Sequence, residues 1–149
     1  MKTITWIWIV VAVLAAGCTH NNGDIGPFFG TWKLSSITVN GIPDQEYDEN
    51  IVWKFQSNVV AMVRINDRHE TNESIGTWID LGQQEIQMDF IYSDDDNPVG
   101  SDRYSPLVET HLPRGSFRMS VLALSSGDMT LRYSDPDNGT IYEYILKKW

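Results

Sequence analysis

The sequence predicts an all-β domain: a single antiparallel up-and-down β-barrel of about eight strands, or alternatively a β-sandwich. Three observations point there. Apolar and polar residues alternate with period two over most of the chain after Phe28. Polar turn clusters interrupt that alternation at short intervals, as between half-buried strands. No stretch with helical spacing lies between them, and parallel strands need long, usually helical crossovers, so the strands must run antiparallel. Meanders of this size remove their free edges by closing or by stacking two sheets. Eight strands enclose just enough room for side chains or one small ligand.

The elements follow in order. Gly30-Thr31-Trp32 opens the first strand. Ile51, Trp53 and Phe55 share one face of the next, with Val52, Lys54 and Gln56 on the other. Ser57-Asn58 is a two-residue turn, after which Val59, Ala61, Val63 and Ile65 alternate with Val60, Met62 and Arg64. A turn cluster at 66–72 precedes a strand at 74–80 and a turn at 81–84. Ile86, Met88, Phe90 and Tyr92 then face one way against Glu85, Gln87 and Asp89. The pattern breaks at 93–106, a long polar loop with two prolines, and a weaker strand is expected at 107–112. Alternation returns at 117–124 and, past the turn Ser125-Ser126-Gly127-Asp128, at Met129, Leu131 and Tyr133. Asp135-Pro136-Asp137-Asn138-Gly139 is a hairpin loop, because proline presets φ and glycine accepts the left-handed position. The last strand carries Tyr142, Tyr144 and Leu146 on one side.

Residues 1–17 stand apart from this domain. One lysine precedes an apolar run from Ile4 to Ala16. The run is too short to cross a hydrocarbon core of about 30 Å comfortably, but it suits the central region of a signal peptide. It ends in small residues and the chain's single cysteine, Cys18. Ala15-Ala16-Gly17-Cys18 resembles the lipobox of bacterial lipoproteins. The resemblance implies cleavage before Cys18 and acylation of its sulfur and new amino group, palmitate being a representative chain. Each buried CH₂ contributes roughly 0.8 kcal/mol, so several chains together make a durable anchor in the lipid bilayer. Thr19, not Asp, follows the cysteine, which places the protein at the outer membrane of the cell envelope. Residues 18–27, polar and rich in Gly and Asn, read as the lipidated cysteine and a flexible tether, and 28–149 as the barrel.

The formal net charge is −9, from 20 acidic against 11 basic residues. Nucleic acid calls for a basic face, so it is excluded as a partner. The same balance argues against attraction of the folded domain to an anionic membrane surface. Without further cysteines the fold has no disulfides, and its stability must come from the core.

Gly30-Thr31-Trp32, placed at the first strand and followed by a meander, resembles the Gly-x-Trp motif of lipocalins. The order of lipobox, tether, Gly-Thr-Trp and a last strand ending Tyr-Ile-Leu-Lys-Lys-Trp is similar to bacterial lipocalin-like lipoproteins, within the broader calycin group. The resemblance covers roughly 28–149 and implies that Trp32 plugs the closed end of the barrel. It further implies that a cation near the last strand covers the ring, Lys147 or Lys148 standing where the family has arginine. Such a contact contributes about 0.5–1 kcal/mol. Gly76-Thr77-Trp78 repeats the triplet inside a later strand.

The candidate pocket residues are Trp53, Phe55, Phe90, Tyr92, Tyr133, Tyr142 and Tyr144, an apolar lining with hydroxyl handles. The competing reading is that they fill the core. A buried tyrosine hydroxyl needs a partner, which a cavity with water or ligand could supply. Asp94-Asp95-Asp96 and Asp102 do not have the spacing of a calcium loop and read as a solvated loop at the mouth, placed to act as a lid. His20, His69 and His111 are far apart in sequence, and no metal site or cofactor is expected. No nucleophile sits in an elbow motif, so no enzyme is expected. Asn72-Glu73-Ser74 and Asn138-Gly139-Thr140 fit a glycosylation pattern that a bacterial lipoprotein does not use. The sequence thus points to a membrane-anchored lipoprotein whose lipocalin-like domain binds a small apolar or amphipathic molecule. The alternative is a non-catalytic interaction lipoprotein with a solid barrel that meets a protein or glycan through its loops.

Overall fold

The computed structural model describes residues 26–92 and 103–149. The signal segment, Cys18, most of the tether and the acidic loop with Asp94, Asp95, Asp96 and Asp102 lie outside the described residues. Nine strands form one antiparallel sheet: β1 (Gly30–Val39), β2 (Ile42–Pro43), β3 (Ile51–Gln56), β4 (Val59–Ile65), β5 (Thr71–Gly82), β6 (Glu85–Phe90), β7 (Gly115–Leu124), β8 (Asp128–Ser134) and β9 (Ile141–Lys148). Each strand from β3 onward pairs with the next in sequence, and β9 returns to pair with β1. β2 is a two-residue flap on the end of β1, so the closed barrel has eight staves. The barrel, and not the sandwich, is the architecture.

β1 is the seam. Its first four residues pair with β3 on one edge, Gly30 opposite Phe55 and Lys33 opposite Val52. Its other edge pairs with β9 along nearly its whole length, from Trp32 opposite Lys148 to Val39 opposite Tyr142. A bulge between Leu34 and Ser36 shifts the register. One extra residue flips the side-chain alternation, which is why Trp32, Leu34 and Ile37 all point inward despite their uneven spacing.

The register turns the alternation into rings. Trp32, Trp53, Met62 and Ser74 lie side by side across β1, β3, β4 and β5, all buried. Lys33, Val52, Val63 and Glu73 make the adjacent outward row. Val52 and Val63 are nevertheless buried, with Ala61 beside them.

Two departures from the sequence reading have local causes. Tyr92 does not face inward: β6 ends at Phe90, and Tyr92 is 53% exposed beyond it. Residues 107–112 are not a strand but a single 3₁₀ turn, Val108–Thr110, closed by left-handed His111. Their apolar residues anchor that turn, with Leu112 buried and Leu107 packed against the core.

The closed end rests on Trp32. Its indole is fully buried and its Nε1 donates to the Phe28 carbonyl at 2.8 Å. The Lys148 ammonium lies 4.3 Å from the ring centroid and donates to the Phe29 carbonyl. Lys148, not Lys147, therefore supplies the cation; Lys147 pairs with Asp128. Gly30 has φ of 118°, and a Cβ there would stand 2.6 Å from Lys148 Nζ. The first glycine of the motif thus makes room for the cation over the tryptophan. Gly76 serves a different need: a Cβ there would meet the Asp89 carbonyl at 2.8 Å and the Phe90 ring at 2.9 Å. Trp78 joins Phe28 and Phe55 in an aromatic cluster with centroids 5.1–5.9 Å apart. The repeated triplet is therefore a packing device on β5, not a second seam.

Replacing Trp32 with Ala should lower the unfolding free energy in urea by about 3–5 kcal/mol; a loss below about 1 kcal/mol would show that the plug is dispensable. Gly76→Ala should destabilise by about 1–3 kcal/mol, since the β6 backbone it meets cannot move aside as a side chain can. A Gly76→Ala protein as stable as the parent in the same titration would contradict the close approach.

Candidate functional site

The open end of the barrel is covered by two segments. One is 103–114, between the described end of the long loop and β7. Its Arg103 carbonyl accepts the Ile75 N–H at 2.6 Å, on the stretch of β5 that extends past β6. The Ser105 carbonyl accepts from Ser74 Oγ, an inward hydroxyl that is 1% exposed. Glu109 pairs with Arg64, the last inward residue of β4. Thr110, fully buried, donates through both N–H and Oγ1 to the Leu107 carbonyl, at 2.9 and 2.6 Å. Its own carbonyl accepts the Tyr144 hydroxyl at 2.6 Å. The 3₁₀ turn is thus tied to the barrel interior through β4, β5 and β9.

The second segment is 40–50, from β1 to β3. The Asp44 N–H donates to the Ile37 carbonyl at 2.8 Å. Tyr47 points down into the mouth, where its hydroxyl donates to the Leu34 carbonyl at 2.7 Å and accepts the Ile51 N–H at 3.2 Å. His111 Nε2 meets Asp44 Oδ2 at 2.9 Å and joins the two segments across the mouth. Its ring stacks on Tyr142, centroids 5.1 Å apart.

The electrostatics follow from this packing. The hydrogen bond from His111 holds the Asp44 carboxyl below its ordinary range; partial burial opposes this and the Glu46 N–H adds to it. Burial pushes Tyr144 well above the usual phenol value, with Tyr142 and Tyr133 adding to it. Burial also raises Tyr47, opposed by the Ile51 N–H and reinforced by Glu49 and Glu109.

Of the candidate pocket residues, six face the core. Trp53, Phe55, Phe90 and Tyr144 are fully buried, Tyr133 is 5% exposed, and Tyr142 is partly buried against the others. Trp53 packs on Tyr144 at 5.4 Å, Phe90 on Phe117 at 6.1 Å, and Phe117 on Tyr133 at 5.5 Å. With Met62, Met88 and Met119 they belong to one core cluster, Tyr142 packing against it. The Tyr144 hydroxyl finds its partner in the lid backbone, which leaves it with no need of a ligand. Beside the lid, a groove of about 400 Å³ is lined by Arg64, Thr71, Ser74, Leu107 and Glu109 among others. Among the described residues five buried side-chain polar atoms lack a protein partner: Arg64 Nε and Glu109 Oε2 at the lid, Thr38 Oγ1 on β1, Trp53 Nε1 on β3 and Trp78 Nε1 on β5.

Sequence reasoning did not single out Tyr47, Arg64, Thr110 or Glu109. Arg64 carried a signal, a cation at the inward parity of a strand, which burial tolerates only beside a carboxylate. Among the described residues no group of three or more His, Cys, Asp and Glu could hold a metal ion, and no helix is long and apolar enough to cross a membrane.

Asp44→Asn should lower the melting temperature at neutral pH. Because the folded state depresses the Asp44 pKa, its contribution is full above the ordinary value of 3.8 and is lost as pH falls through the lower folded value. The gap to wild type should therefore close in acid; a gap unchanged in acid would show that the carboxylate charge is not what matters. At the other extreme, Tyr47 and Tyr144 stay neutral in the fold while an unfolded tyrosine ionises near 10. Stability should fall as pH rises above 10, with the share of the 295 nm phenolate signal that belongs to the buried tyrosines appearing together with unfolding. Phenolate formation by all tyrosines before unfolding would contradict their burial.

Comparison with known proteins agrees at the level of fold. No family model and no curated protein matches the chain. Among solved structures it is similar to a lipocalin-like protein from Bacteroides uniformis ATCC 8492, with a TM-score of 0.61 and 20% identity. That match covers 83% of this chain and 100% of the other. It is also similar to an uncharacterized protein from Bacteroides eggerthii DSM 20697, with a TM-score of 0.59, 20% identity, and 82% and 99% of the two chains covered. Closed eight-stave topology, a tryptophan plug under a cation and these two neighbours together identify the fold as a lipocalin-like, calycin-type β-barrel.

Proposed function

We propose that this chain is an outer-membrane-anchored lipoprotein whose barrel is packed solid, and that it acts without catalysis by presenting its mouth loops to a protein or glycan partner. The observation that carries this reading is the filled interior: Trp53, Phe55, Phe90, Tyr144, Met62 and Met88 are all fully buried and belong to one contact cluster. Ligand pockets of carriers are clefts of several hundred Å³ that bury most of the ligand. Here the residues that would line such a pocket occupy it.

A second reading, a carrier of a small apolar or amphipathic molecule, is favoured by one observation. Arg64 Nε and Glu109 Oε2, at the lid, are buried and unpartnered, as is Trp53 Nε1 in the core. A buried polar atom without a partner costs about 1–3 kcal/mol, so water or a ligand's polar group would be welcome there.

The two readings separate on one preparation. Protein extracted from its natural membrane should show, by native mass spectrometry, the acylated chain alone, and fatty acids should leave its melting temperature unchanged. A stoichiometric bound molecule would favour the carrier. Cys18→Ala should release the protein into the soluble fraction; continued membrane association would sink the anchoring reading.

A further inference from the structure

The chain is strongly acidic, but its charge is not spread evenly. The strands alternate in direction, so the turns fall into two sets. At the mouth, 40–50 holds four carboxylates, 66–70 two and 135–140 two. At the closed end, the turns 57–58, 83–84 and 125–127 hold none. The carboxylates nearest that end are Asp128, paired with Lys147, Glu85, 3.8 Å from Arg118, and Asp80, which accepts the Gly82 N–H at 2.8 Å.

The same end exposes large apolar side chains: Trp149 is 70% exposed, Ile79 54% and Leu122 43%, with Phe29 and Leu81 close behind. A groove of about 850 Å³ runs from Pro27, Phe28 and Phe29 to Trp78 and Ile79. A smaller groove shares Pro27 and Phe28 and continues to Leu122. Apolar side chains are exposed at the mouth as well, Ile42 and Val108 among them, but there they stand among the acidic turns, whose charges cannot enter an apolar phase cheaply.

The described chain begins at Gly26, on the closed end, with Cys18 eight residues before it. Eight residues reach about 27 Å at full extension. The ten residues of β1 alone cover about 33 Å. Barrel strands tilt by about 35–45°, so the wall beside β1 is about 25 Å high. An anchor at Cys18 can therefore bring the closed end to a bilayer with slack to spare, whereas turning the mouth down would stretch the tether almost to its full length along the wall.

We propose that the closed end is the face that rests on the lipid bilayer, with Trp149, Phe29, Ile79 and Leu122 at the level of the headgroups; this rests on the anchored-lipoprotein reading above. Tryptophan is enriched at that level because its ring is apolar and its N–H polar. The acidic mouth then points away from the membrane. The overall negative charge, which argues against membrane attraction of the whole domain, is carried chiefly by the opposite end.

Acylation consumes the only thiol, so single engineered cysteines can carry a nitroxide label. Leu122→Cys reports the closed end and Val108→Cys the mouth, both at exposed positions. Acylated protein is reconstituted in phosphatidylcholine vesicles, with and without phosphatidylglycerol. The label at 122 should lose accessibility to an aqueous nickel chelate and gain accessibility to oxygen, while the label at 108 should change in neither. A label at 122 that stays in water, or one at 108 that becomes protected, would overturn the proposal. So would protection at 122 that grows with the protein-to-lipid ratio, because a second copy would then cover the face. The mass of the purified chain separates the two failures: a mature chain without acyl groups overturns the anchoring reading and this inference with it, whereas an acylated chain with 122 in water overturns the docking alone.

Discussion

The structure depends on the closure of β1 against β9. A meander of eight strands has two edges, and every unpaired edge group is a liability in water and a template for another chain. Here β1 supplies hydrogen bonds on both sides, to β3 with its first residues and to β9 with almost all of them. Trp149 extends the seam, its N–H donating to the Thr31 carbonyl at 3.0 Å. Closure also makes the inside an inside: the tryptophan under Lys148 has a floor to seal only because the staves meet.

The two ends of the barrel solve the same problem differently. The closed end is sealed by aromatic side chains and one cation, with Phe28 brought in by the segment before β1. The mouth is sealed by two backbone segments: buried hydroxyls of Ser74 and Tyr144 donate to carbonyls of one, and Tyr47 of the other donates to the Leu34 carbonyl of β1. A backbone lid carries polar atoms to the edge of an apolar core, and those must be met one by one. That is why polar side chains gather there, Arg64 and Glu109 among them.

Much of this was legible in the sequence. Period-two runs located β3, β4, β6, β8 and β9, and Gly30-Thr31-Trp32 marked the seam. What was not legible depended on contacts between distant segments. The alternation of Ile86, Met88, Phe90 and Tyr92 continues past the point where β6 loses its partner, so Tyr92 seemed to face inward. Leu107 and Leu112 look like strand residues and are lid anchors. Tyr47 sits in an acidic turn, and nothing near it in sequence shows that its hydroxyl reaches Leu34. The bulge at 34–36 breaks parity without any Gly or Pro to announce it. Tyr133 and Tyr144 are buried, unlike Tyr92, but the partner of the Tyr144 hydroxyl is a backbone carbonyl 34 residues away in the lid.

Hydrogen exchange along the seam tests the central claim, a barrel closed by β1 against β9. Amides of β1 and β9 around Leu34, Ile37, Tyr144 and Leu146 should exchange last and together, at the rate set by global unfolding. If β9 amides exchange much faster than those of β4 and β5, the seam is open in solution and the sheet is not a barrel.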